Sequence, residues 1–118
     1  MVSIKSFTEM ALSFPEAEQA PHFDLVSFRV KKKIFATIHE KHNRVMIKLD
    51  PLDQSVFCAF DKTIIYPVPG GWGKSGATFV ELSKIKKPML KDALTLAWKR
   101  IAPPDVLKKF EEKKKTKD

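Results

Sequence analysis

Three histidines, one cysteine, scattered carboxylates and a large excess of lysine are the side chains with chemistry to offer. His39 and His42 stand three residues apart, with His22 well upstream, and no carboxylate is spaced to orient an imidazole. A zinc or acid–base site needs three or more convergent groups, so these histidines read as turn or cationic residues. Cys58 lies in the apolar run Val56-Phe57-Cys58-Ala59-Phe60 and reads as a small packed hydrophobe. As the sole cysteine it excludes an intrachain disulfide and a Cys-x-x-Cys zinc site. Gly73-Lys74-Ser75 has the look of a P-loop ending, but Val68 stands where that pattern needs its first glycine. A helix should also follow, and the pattern here is a strand. The reading is therefore not an enzyme: no catalytic residue, no cofactor and no metal ligand is assigned.

The lysines are the positive signal. The chain carries a net charge of +8, and that charge is localised. Arg29 to Lys48 holds seven basic residues against Glu40 alone, and Lys84 to Arg100 holds six against Asp92 alone. The remainder is net negative. A concentrated positive surface attracts polyanions such as DNA, RNA or an acidic protein face. No apolar run approaches the roughly 18 residues needed to span a bilayer, and Met1-Val2-Ser3-Ile4-Lys5 does not open a signal peptide. A cytoplasmic protein with no membrane partner is expected.

These residues must be held by a small scaffold. With 118 residues and 43% hydrophobic content, one domain over residues 1–112 is expected, followed by a frayed Lys-rich tail over 113–118. Ser3 is a plausible N-cap for a helix whose stripe is Ile4, Phe7, Met10/Ala11 and Phe14, with Pro15 ending it. Ser6 and Glu9 offer an alternative capping box. The period then switches to two. Val26, Phe28 and Val30, then Ile34, Ala36 and Ile38, then Val45, Ile47 and Leu49 mark the covered face of three strands. Tight connections are expected at Lys31-Lys32-Lys33 and Lys41-His42-Asn43. The wet face would carry Arg29, Lys31, Thr37, His39, Arg44 and Lys48.

Pro51 to Phe60 reads as a short helix or irregular crossover. Thr63–Val68 reads as an edge strand, because prolines 67 and 69 pinch it. A glycine loop at Gly70-Gly71-Trp72-Gly73 then leads to a strand over Ala77–Leu82. Leu90, Ala93, Leu94, Ala97, Trp98 and Ile101 form the strongest amphipathic helix, entered at Pro88 and stopped by Pro103-Pro104. Val106, Leu107 and Phe110 suggest one further docked turn. The fold class is α+β: an antiparallel sheet of about five strands with N- and C-terminal helices packed on one face.

The runs Leu12-Ser13-Phe14-Pro15-Glu16, Ser27-Phe28-Arg29-Val30 and Lys33-Ile34-Phe35-Ala36-Thr37 resemble the N-terminal half of MmcQ/YjbR-like proteins. Trp72-Gly73-Lys74-Ser75-Gly76-Ala77-Thr78, Ala97-Trp98 and Ile101-Ala102-Pro103 resemble the second half. The resemblance implies a CyaY-like (frataxin-like) fold and a double-wing DNA-binding role. One departure is the first hairpin turn, where the family often has glycine and this chain has three lysines. A frataxin-like fold also raises iron binding. Glu9, Glu16, Glu18 and Asp24 are too few and too separated for a hard-cation cluster.

The functional expectation is a nucleic-acid-binding module, DNA ahead of RNA, using a basic hairpin and sheet face. Its candidate residues are Arg29, Lys31, Lys32, Lys33, Arg44, Lys48, Trp72 and Lys74. Trp72 reads first as a cap on the core, anchored by its indole N–H, and second as a surface on which a base stacks. The alternative is an adaptor domain for an acidic protein, using the same surface.

Overall fold

The computed structural model describes residues 1–115. Helix α1 spans Ile4–Leu12. Ser3 is its N-cap, accepting from the Ser6 amide at 3.0 Å and so satisfying one of the helix's free donors. Phe7, Met10 and Ala11 point inward. The chain then turns through Glu16, at φ 62°, into a strand absent from the sequence expectation, β1 (Ala17–His22). Its sequence, Ala-Glu-Gln-Ala-Pro-His, has no apolar alternation, and Pro21 supplies no donor. An edge position tolerates both defects, since an edge strand pairs on one side only.

Strands β2 (Leu25–Val30), β3 (Lys33–His39) and β4 (Arg44–Lys48) follow as antiparallel hairpins. Val30 pairs with Lys33, so the first connection is a two-residue turn made of Lys31 and Lys32. Both lie in the left-handed region, at φ 47° and 73°. This is the type I′ geometry that matches strand twist and that Asn and Gly adopt most cheaply. The second connection is a short 3-10 turn, Glu40–His42, closed by left-handed Asn43.

The β2–β3 register shifts between Phe28, opposite Ala36, and Arg29, opposite Ile34. Phe35 is the extra residue of a β-bulge there. It turns into the core, fully buried, against the edge of the Phe14 ring. The bulge reverses two expected orientations: Phe35 points inward, and Ile34 is left half-buried on the opposite face.

Helix α2 (Pro51–Cys58) is capped by Asp50, whose carboxylate accepts from the Leu52 amide at 2.9 Å. Strand β5 (Ile65–Pro67) is followed by a one-turn helix, α3 (Gly71–Lys74), where the sequence suggests an open glycine loop. Strand β6 (Ala77–Glu81) then inserts between β4 and β5. The sheet has six strands, ordered β1-β2-β3-β4-β6-β5, with every neighbouring pair antiparallel. Pro67 sits on the other edge strand, as its missing donor requires.

Helix α4 (Lys87–Ile101) lays Leu90, Ala93, Leu94, Ala97 and Trp98 onto the sheet, all buried. Trp98 stacks on Phe14 at 5.5 Å and donates its indole N–H to the Pro15 carbonyl at 3.1 Å. Helix α5 (Pro104–Lys115) replaces the single turn expected there and takes in the first three residues of the segment 113–118. It seats Val106 in the core and Phe110 against Phe14 and Trp98. Residues 116–118 of the expected tail lie outside the described residues. The main core is therefore sealed between one sheet face and the helices, leaving the other face open. Among the described residues no helix is long and apolar enough to cross a membrane.

Candidate nucleic-acid interface

The open face is read directly from the registers. Arg29, Ile34, Thr37, His39, Arg44, Met46, Lys48, Ala77 and Phe79 share it, with Tyr66 beside Phe79 on β5. Its centre is apolar. Met46, Ala77 and Phe79 form a second small buried cluster, flanked by Tyr66 and Val68. Lys48 stands at the margin of this face, whereas Arg44 lies over the Phe79 ring.

At one end of the sheet the expected basic residues converge. Lys32 and Lys33 from the β2–β3 hairpin, Lys48 from the end of β4 and Trp72 from α3 line a single cavity of about 860 Å³. Arg100, at the end of α4, joins them. Its Nη1 donates to the Leu49 carbonyl at 2.6 Å, which ties α4 to the end of β4. The sequence placed Arg100 in a basic stretch but held no sign that it would meet the hairpin. Lys31 is exposed in the same turn as Lys32, and Lys74 is exposed on the same short helix as Trp72.

Trp72 is 72% exposed and so does not cap the core. The physical reason is the helix beneath it. Gly73 packs so closely that a Cβ there would lie 1.8 Å from the Val68 carbonyl oxygen. Buried Gln54 of α2 fastens the same segment, donating from Nε2 to the Gly73 carbonyl at 2.8 Å and to the Ala77 carbonyl at 3.1 Å. With its neighbour pressed inward, the Trp72 ring is turned out to the rim.

Two expected residues are occupied elsewhere. Arg29 donates from Nε to Ser27 Oγ at 2.9 Å and from Nη2 to the Pro21 carbonyl at 3.0 Å, bracing edge strand β1. Arg44 lies at the opposite end of β4 from Lys48. Its guanidinium sits 3.8 Å from the Phe79 ring centre, and Nη1 donates to the Tyr66 hydroxyl at 3.1 Å. That hydroxyl donates in turn to the Glu81 carboxylate. Partial burial, then the Glu81 hydrogen bond, push the Tyr66 hydroxyl above its ordinary pKa.

His39 pairs with Thr37 Oγ1 at 3.0 Å and meets the Phe79 ring edge-on at 5.3 Å. Burial, then the charges of Arg44 and His42, hold its imidazole below the ordinary histidine value, so the neutral ring is favoured. Among the described residues no three His, Cys, Asp or Glu side chains gather as a metal site. Burial pushes the Cys58 thiol up, away from the reactive thiolate.

The chain is an α+β protein, a six-stranded antiparallel sheet with helices packed on one face. The YjbR family model matches residues 12–100, and the chain belongs to the YjbR family. Protein DR2400 of Deinococcus radiodurans, which carries a DUF419 domain, is similar in structure, with a TM-score of 0.76. The two are 17% identical over 89% of this chain and 82% of that one, a likeness of fold. No curated protein matches the chain.

Proposed function

We propose that this protein is a non-catalytic, cytoplasmic nucleic-acid-binding module that docks DNA phosphates on the β2–β3 hairpin and the cavity behind it. The observation that carries the reading is the convergence of Lys32, Lys33, Lys48 and Arg100 from three separate chain segments on one cavity rimmed by exposed Trp72. Lysines on a protruding hairpin reach phosphates without reading bases, so binding is strong at low salt and indifferent to sequence. The resemblance to the MmcQ/YjbR-like DNA-binding proteins favours DNA over RNA. The same positive charge attracts an acidic protein face less selectively, since a polyphosphate presents regularly spaced charge along its whole length.

Fluorescence anisotropy with a labelled DNA duplex carrying a single-stranded overhang tests the reading. Binding is expected at low salt, with log K falling linearly against log salt. Replacing Lys31, Lys32 and Lys33 with glutamate should abolish it. Flat anisotropy at low salt, or unchanged affinity in the triple variant, overturns the proposal.

A further inference from the structure

The open sheet face holds a second cavity that the phosphate-docking reading leaves unused. It measures about 120 Å³ and is walled mainly by Ile34, Met46, Val68, Ala77, Phe79 and Trp72. Four residues, Ile34, Lys48, Trp72 and Ala77, belong to both this cavity and the basic one. The two are therefore one continuous groove, basic at the hairpin end and apolar on the sheet face. The apolar part is small. At about 30 Å³ per water it equals roughly four waters, far below the ~300 Å³ at which drug-sized ligand sites begin. That is the scale of one planar ring.

Its chemistry is equally narrow. Besides Lys48, its polar lining is His22, Thr37 and His39, the last two already paired with each other. Lys48 stands at the junction, with Lys32 and Lys33 beyond it in the basic part. A ligand that fits both parts has a flat, weakly polar ring a short covalent distance from an anionic group. A nucleotide unit has this form. In a duplex the ring is stacked and paired, and cannot leave the helix without unstacking, so an intact duplex offers the groove only its phosphates.

We infer that the groove takes an unpaired nucleotide, its base held under Trp72 in the apolar cavity and its phosphate on Lys32, Lys33 and Lys48. This deepens the proposed function and rests on it: the module discriminates single-stranded from paired DNA. Stacking of a base on an exposed aromatic is tolerant of base identity, so the preference is for strand state rather than sequence. The exposed Trp72 ring and the half-buried Ile34 and Val68 at the cavity wall are the parts that make this discrimination.

The full chain is titrated at low salt with three labelled probes: a single-stranded 12-mer, its blunt duplex and an abasic 12-mer with the same number of phosphates. The single strand should bind about tenfold or more tighter than the abasic strand, in line with one base–aromatic contact. Trp72 emission should be quenched by the single strand and unaffected by the abasic one. Trp72→Ala, an exposed change, should bring the single strand's affinity down to that of the abasic strand. Val68→Trp, which fills the cavity from its wall, should do the same. Equal binding of all three probes, or wild-type preference retained in both variants, overturns this inference and leaves phosphate docking standing. Failure of every probe to bind overturns both. Free mononucleotide competing with the single strand at millimolar concentration would identify the base cavity as sufficient alone. Competition only by oligomers would place the selectivity in the combined groove.

Discussion

Two glycines in one helical turn should respond to the same substitution with opposite signs. Gly71 and Gly73 both belong to α3. A Cβ at Gly71 meets nothing within 4 Å, whereas a Cβ at Gly73 would lie 1.8 Å from the Val68 carbonyl oxygen and 2.9 Å from its carbon. Real Cβ atoms essentially never approach under 3.0 Å, so Gly73→Ala must lift α3 by more than an ångström. That movement breaks the 2.8 Å bond from Gln54 Nε2, a buried donor that water does not easily serve. Overpacking costs roughly 1–3 kcal/mol, and a buried hydrogen bond lost adds about 1–2 kcal/mol. A total near 3 kcal/mol is expected. With a urea slope of about 1.5 kcal/mol/M for a domain this size, the unfolding midpoint should fall by about 2 M. Gly71→Ala, which only reduces the freedom of the unfolded chain, should stabilise by about 0.5–1 kcal/mol. Urea denaturation followed by far-UV circular dichroism reads both. Shifts of equal sign and size in the two variants would refute the steric reasoning. The folded Gly73→Ala protein should also bind single-stranded DNA more weakly, because Trp72 moves with the lifted turn.

Three further outcomes are expected. Lys31→Asn with Lys32→Gly relieves two left-handed lysines and should stabilise the protein by about 1–2 kcal/mol. The same variant should bind DNA less well, so Tm and affinity move in opposite directions. Gln54→Leu withdraws the donor shared by Gly73, Ala77 and Thr78 and should cost about 1–3 kcal/mol in chemical denaturation. The third concerns pH. Because the folded state holds His39 below its ordinary value of 6.5, the unfolded chain binds this proton first. The His39 contribution is full above that value and is lost as pH falls from it towards the lower folded pKa. A Tm series from about pH 8 to pH 5 should therefore decline less steeply in His39→Gln than in wild type.

Most of the framework was legible because local chemistry and tertiary need agree. The α1 stripe, the alternation of β2 and β4, and the α4 stripe each point to one structure. Legibility failed where long-range geometry decides. Strand β1 has no alternation because an edge strand needs only its backbone and one neighbour. The Phe35 bulge is invisible to a period-two reading, which assumes that no residue is skipped and therefore puts Ile34 on the covered face. From sequence alone Trp72 reads first as a core residue, because buried aromatics are commoner than stacking platforms. Only the close packing of Gly73 on Val68 explains its outward turn. The basic hairpin was visible from its three lysines. The meeting of Lys48 and Arg100 with it was not, since the sheet and α4 bring together segments about fifty residues apart. Arg29 and Arg44 were legible as charges, but their engagement with Pro21 and with Tyr66 and Phe79 was not.

The bond from Trp98 to the Pro15 carbonyl joins positions 83 residues apart. It sets a schedule for the growing chain. As the ribosome delivers residues in order, Phe14 emerges long before the indole that stacks on it, and β3 long before the helix that packs against it. Helix α1 covers part of the N-terminal sheet at once, but the part under α4 must wait until that helix is released. Topologies dominated by such distant pairings fold slowly and expose sticky surface meanwhile. A nascent chain arrested before residue 98 should therefore be held by chaperones and cut by proteases, while one completed through α4 closes and escapes both.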